Sequence, residues 1–152
     1  MIVEMIPLAM AAVLVVAMLL EIRTGRIPNW LTLMPFALFA VLLILAEDRT
    51  PLYWQIGLAA GVLVFGLVMF AIGGSGAGAV KLMTGTALFV PLSKAGYAAI
   101  IFFLVFFVSS FVFVQLRKAV GSEDSSWYLM ANAVLPLSFS IGMAGLAGMF
   151  LL

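Results

Sequence analysis

Six apolar runs, parted by short polar breaks, make up the chain. The first covers residues 1–20, is apolar apart from Glu4, and ends in Glu21-Ile22-Arg23-Thr24-Gly25-Arg26. A second run covers 30–46 and breaks at Glu47-Asp48-Arg49-Thr50-Pro51; a third covers 52–72 and meets Gly73-Gly74-Ser75-Gly76-Ala77-Gly78. The fourth, 80–90, is shorter and bounded by Pro91 and Lys94. The fifth, 95–116, ends at Arg117-Lys118, and a polar loop from Gly121 to Ser126 leads to a sixth, 127–152, that contains Asn132 and Pro136. A bilayer-spanning helix takes roughly 20 apolar residues. The pattern therefore predicts an all-α, polytopic membrane helix bundle of about six transmembrane helices, forming one domain over 1–152. The first residues carry an acid, Glu4, rather than Lys or Arg, and no convincing small-x-small cleavage site precedes the charged stretch, so the run is expected to stay as a span. The short fourth run predicts a helix entered from a buried polar loop, since irregular backbone at membrane depth needs protein or water around it.

Composition narrows the chemistry. The chain is 66% hydrophobic, with seven Lys/Arg and six Asp/Glu. A soluble domain carries about a quarter charged residues, so that class is excluded. The net charge of +1, with no sustained basic run, gives no footprint for nucleic acid. With no Cys and no His, disulfides, thiol catalysis, cysteine-based zinc sites and the commonest general base are all removed. No metal or cofactor is expected, and any reaction must run on carboxylates, cations, hydroxyls and backbone.

Cations also orient the bundle. Arg23, Arg26, Lys81, Arg117 and Lys118 follow the odd-numbered runs, whereas only Arg49 and Lys94 follow the even ones up to the fifth. The positive-inside rule puts the first set in the cytoplasm and both termini outside. Two polar segments, 21–29 and 73–81, then share the cytoplasmic face.

Each segment has a plain reading and a sharper one. In the first, Arg23 and Arg26 set topology, Pro28 opens the next helix and Trp30 anchors at the interface; alternatively, Glu21 is an intramembrane acid, costly unless it faces the bundle. In the second, small residues let helices pack closely; alternatively, Gly76-x-Gly78 brings backbone close to a partner, and Lys81 needs an electrostatic partner. A phosphate-binding loop is excluded by its spacing.

Taken together, the segments are more specific. Residues 21–29 resemble the Asp-x-Arg-x-x-x-Ile-Pro-Asn motif of type IV prepilin peptidases, and Gly76-Ala77-Gly78-Ala79-Val80-Lys81-Leu82 resembles that family's Gly-x-Gly-Asp-Val-Lys-Leu. Leu135-Pro136-Leu137-Ser138-Phe139 is similar to the proline-bearing stretch of the family's last helix. The resemblance is to the short members that serve tight-adherence (Flp/Tad) pili, without the cysteine-bearing methyltransferase region of long members. It implies an aspartyl protease of the bacterial cytoplasmic membrane that cuts the basic leader from a pilin precursor just before its hydrophobic helix. The catalytic carboxylates would stand at positions 21 and 79, with Arg23, Arg26, Pro28, Asn29, Gly76, Gly78 and Lys81 around them. Membrane lipid and pilus assembly proteins are the other partners implied.

The chain departs from the family pattern at both positions. Glu21 replaces Asp and moves the carboxyl by about one methylene, where catalytic groups need placement within roughly 0.5 Å. Ala79 replaces the second Asp outright. Glu47 and Asp48 fall on the opposite face, Glu4 lies a span away, and Glu123 and Asp124 are expected to be solvated loop charges. The chain as written is therefore expected to have little or no peptidase activity. Two origins fit Ala79, a substitution made in an active enzyme and a natural pseudo-peptidase. Two further functions compete: a non-catalytic membrane component of pilus or secretion assembly, and a small transporter, which would need polar residues along several spans.

Overall fold

The computed structural model describes residues 2–120, 126, 128 and 137–151. Among the described residues are six α-helices: α1 (Ile2–Thr24), α2 (Asn29–Leu45), α3 (Thr50–Ala71), α4 (Ala77–Ala87), α5 (Ala95–Val120) and α6 (Leu137–Leu146), the last continuing as a π-turn over Ala147–Leu151. A short 3-10 turn, Leu92–Lys94, leads into α5. The fold is an all-α membrane helix bundle. Three of the described helices, those over Val3–Thr24, Thr50–Ala71 and Leu92–Val120, are long and apolar enough to cross a membrane. Asn132 and Pro136 of the sixth predicted run lie outside the described residues, as do Glu123 and Asp124.

α4 is the centre of the arrangement. It has only 11 residues, about 16 Å of helix, or half a bilayer core. From Ala79 onward almost every side chain on it is buried, because α2, α3 and α6 all pack on it. α1 closes the bundle by packing on α2 and α6, while α5 lies along α6. Glycine makes these approaches possible. A Cβ at Gly66 would come 2.7 Å from Val80 Cγ1, one at Gly85 would come 2.6 Å from Pro35 Cβ, and one at Gly142 would come 2.6 Å from Met18 Sδ. At Gly145 it would collide with Thr86. Without water to drive helices together, close backbone packing supplies much of the association energy in a bilayer.

Of the helix ends that differ from the sequence expectation, two concern the polar segments. α1 runs through Glu21 to Thr24 rather than stopping at residue 20, and it closes where the N–H of Gly25 donates to the Glu21 carbonyl at 2.8 Å, with Gly25 at φ +68°. α4 begins at Ala77, not Val80, so Gly78 and Ala79 are helical and Gly76 is the N-cap. Within residues 77–79 only Gly78 disfavours helix, by about 1 kcal/mol relative to Ala, and with Ala77 and Ala79 on either side the helix carries through once the preceding chain has turned. That turn is made at the end of α3, where Gly73 (φ +76°) donates to Phe70 O at 3.0 Å and Gly74 donates to Met69 O at 2.8 Å, the paired bonds of a Schellman motif. Residues 72–76 are thus the irregular stretch. Contrary to the buried loop expected, most of them are exposed, with only Ser75 half-buried.

Candidate active site

The two polar segments meet. A Cβ on Gly78 would lie 3.3 Å from the carbonyl oxygen of Ile27, so the start of α4 rests directly on the chain between α1 and α2. One turn on, Lys81 Nζ donates to Asn29 Oδ1 at 3.2 Å, which gives the Lys81 cation a polar partner from the other segment. Pro28, at φ −63° and ψ 144°, is the N-cap of α2 rather than its first helical residue, and its carbonyl accepts from Leu31 and Thr32. Trp30 is exposed, as an interfacial anchor would be.

Between the segments lies a cavity of about 670 Å³ lined by Glu21, Gly25, Arg26, Ile27, residues 73–76, Gly78, Ala79, Phe106 and Leu137. It therefore brings together Glu21, Arg26, Gly76, Gly78 and Ala79 of the expected site residues. Arg23 is exposed in the last turn of α1 and does not line it; nor do Pro28, Asn29 and Lys81, the last two being exposed and joined by the hydrogen bond above. Gly76 has open space around its Cα, so of the two glycines Gly78 makes the close approach and Gly76 leaves the cavity clear. Irregular backbone at 72–76 is tolerated because it borders this cavity.

Glu21 is 8% exposed. Its Oε2 accepts two hydrogen bonds from one residue, the backbone N–H of Ser138 at 2.7 Å and the Ser138 hydroxyl at 2.5 Å. The same hydroxyl oxygen lies 3.4 Å from the Ala17 carbonyl; having one hydrogen, it donates to the nearer carboxylate. Ser138 is fully buried in the first described turn of α6. Its N–H and its hydroxyl both converge on one oxygen of a buried carboxylate. Sequence reasoning gave Ser138 no role. Its one available signal was a hydroxyl beside Pro136 at the head of an apolar run.

Ser75 was also passed over. Its Oγ is buried without a hydrogen-bond partner among the described residues, on a side chain that lines the cavity. Gly25 was read only as part of a polar break, yet a Cβ there would collide with the Tyr128 ring, which covers this end of α1. Ala79, 6% exposed, presents a methyl group where the family motif has a carboxyl. No other described acid comes near. Glu4 is 17 residues up α1, and Glu47 follows the far end of the 17-residue α2, each about 25 Å of helix away.

A family model, the type IV leader peptidase family, matches residues 8–116. The chain belongs to that family. The match takes in both polar segments and stops before Ser138, so the described partner of Glu21 comes from outside it. By family this type IV leader peptidase relative is an aspartic-type peptidase, and membership implies a pilin precursor as substrate. No curated protein and no solved structure matches the chain.

Proposed function

We propose that the chain is a prepilin leader peptidase scaffold whose reaction centre lies between Glu21 and position 79, at the cytoplasmic face of a bacterial inner membrane, with both termini outside. The observation that carries this reading is that Glu21 and Ala79, 58 residues apart in sequence, line one cavity. In an aspartyl dyad one ionised carboxyl takes a proton from the attacking water while its protonated partner donates to the scissile carbonyl. Two close carboxylates do not ionise together, and that splits the roles. The substrate is a Flp-type precursor, whose basic leader would approach the polar segments and whose apolar helix would stay in the bilayer. Arg26 and Ser75 are groups on the cavity wall that can orient the peptide, and Lys81 holds the two segments in register through Asn29.

With Ala79 the dyad lacks one member. Loss of one residue from such a unit costs on the order of 10⁴-fold or more in rate, so the chain is inactive or nearly so. Ala79→Asp, assayed for leader removal from a Flp pilin precursor in membranes, is expected to cleave, and Glu21→Ala added to it is expected to abolish cleavage. No cleavage of any Flp-type precursor by Ala79→Asp would refute a working site at these positions.

A second reading, a pseudo-peptidase that assists pilus or secretion assembly, is favoured by the way Glu21 is already engaged with Ser138. It predicts co-purification with a pilin or assembly proteins and no gain of cleavage from Ala79→Asp.

A further inference from the structure

The cavity at Glu21 does not end at Ala79. A small apolar cavity of about 70 Å³ shares Ala79, Phe106 and Leu137 with it. That one in turn shares Met83, Phe102 and Ile141 with a wider apolar cavity of about 640 Å³. The three form one trough that runs from the polar segments along the bundle. Its walls are α3 and α5 and its floor is α4 and α6. α3 packs extensively on α4, and α5 on α6, but α3 and α5 make no extensive contact with each other.

The walls carry a pattern that elsewhere in this fold means a packed helix. Gly57 and Gly61 stand four apart on α3, in the Gly-x-x-x-Gly spacing by which membrane helices bring their backbones together. Across the trough stand Ala95 and Ala99, also four apart. Where Gly66, Gly85, Gly142 and Gly145 occur, a neighbouring side chain fills the space; at Gly57 and Gly61 nothing among the described residues comes within 4 Å. The 640 Å³ is the volume of a cylinder of 10 Å diameter and about 8 Å length, roughly one and a half turns of helix.

We infer that the trough seats the apolar helix of the precursor, entering sideways from the bilayer between α3 and α5. This docking rests on the leader peptidase reading, and continuity of the cavities is what selects the occupant. A helix in the trough places its polar end at Ala79 and Glu21, where the bond preceding that helix has to lie. A bilayer acyl chain fits the apolar lining but gains nothing from the connection to an acid-bearing cavity.

The cysteine-free chain allows a direct test. Gly61→Cys and Ala99→Cys go into open space, with Val16→Cys on α1 and Val41→Cys on α2 as outward-facing references. Each is placed in vesicles of phosphatidylethanolamine and phosphatidylglycerol with Flp precursors carrying one cysteine at successive positions of the apolar helix, and then oxidised. Disulfides at 61 and 99 that recur with the helical period, several-fold above those at 16 and 41, are the expected result. Equal yields at all four positions, or none at 61 and 99 as with an acyl chain in the trough, would overturn the docking. The cleavage assay separates the two readings. Cleavage by Ala79→Asp without trough disulfides sinks the docking alone, whereas trough disulfides without cleavage leave the docking and sink the peptidase. As a second arm, Gly61→Trp in the Ala79→Asp background is expected to lower cleavage of the full precursor at least tenfold; an unchanged rate would also overturn the docking.

Discussion

The bond between Glu21 and Ser138 sets a measurable stability. Ser138→Ala removes the hydroxyl donor at 2.5 Å and leaves the N–H donor at 2.7 Å in place. Interhelical hydrogen bonds in bilayers average about 0.6 kcal/mol, but bonds to a charged acceptor reach about 1.5–3 kcal/mol. With Ser138 fully buried and Glu21 nearly so, a value above that average but at the foot of the second range, about 1.5 kcal/mol, is expected for Ser138→Ala. Glu21→Ala removes the acceptor of both bonds and strands a buried N–H, so it should cost more, about 3 kcal/mol. Glu21→Gln keeps an acceptor and should fall between. Once Glu21 is gone the Ser138 hydroxyl has lost its nearer partner, so the double variant Glu21→Ala with Ser138→Ala should be less destabilised than the sum of the singles by about 1 kcal/mol. Reversible unfolding in mixed micelles, followed by tryptophan fluorescence across a denaturing-detergent titration, measures all four species. Additivity within about 0.3 kcal/mol would mean that the two side chains do not interact, and the description of Glu21 as anchored by α6 would be wrong.

Other expectations follow from single positions. Gly85→Ala drives a methyl against the Pro35 ring, 2.6 Å from its Cβ, and should destabilise by about 1–3 kcal/mol, whereas Gly57→Ala meets nothing and should be neutral or stabilising by up to about 1 kcal/mol; the same titration distinguishes them. Gly73→Ala forces a side chain into φ +76° and should cost about 1 kcal/mol, with Gly73→Asn recovering part of it. Lys81→Met, which loses the exposed bond to Asn29, should change stability by less than about 0.5 kcal/mol. In the Ala79→Asp background it should nonetheless lower the kcat of precursor cleavage if Lys81 registers the two segments, and an unchanged kcat would remove that role.

Much of the bundle was legible because apolar runs broken by charge translate almost directly into helices in a bilayer. Glu21 was legible for the same reason, since an acid at the end of an apolar run needs a cause. The ends of α1 and α4 were not, because Glu21 to Thr24 carry no strong preference, Gly78 disfavours helix between two alanines that favour it, and the decision falls to glycines at 25 and 73 whose positive φ no pattern displays. Ser138 was hidden by distance along the chain. Its partner is 117 residues away, and a serine in an apolar run is usually satisfied within its own helix, as Thr84 and Thr86 are by Val80 O and Leu82 O. The trough was hidden by chemistry, because leucines, phenylalanines and glycines that line a groove read the same as those that face lipid.

The length of that 117-residue separation has a consequence for synthesis. A ribosome adding about 5–20 residues per second needs about 6–23 s to reach Ser138 after it has made Glu21. For that interval α1 is already available for insertion with an acid that has no Ser138 to hold it. The carboxylate must wait at the membrane surface, wetted or held by the insertion machinery, until α6 arrives. A chain stalled before its last helix would carry both polar segments and still leave Glu21 without Ser138, so arrested chains that end before and after position 138 should differ in how readily water-soluble reagents reach that side chain.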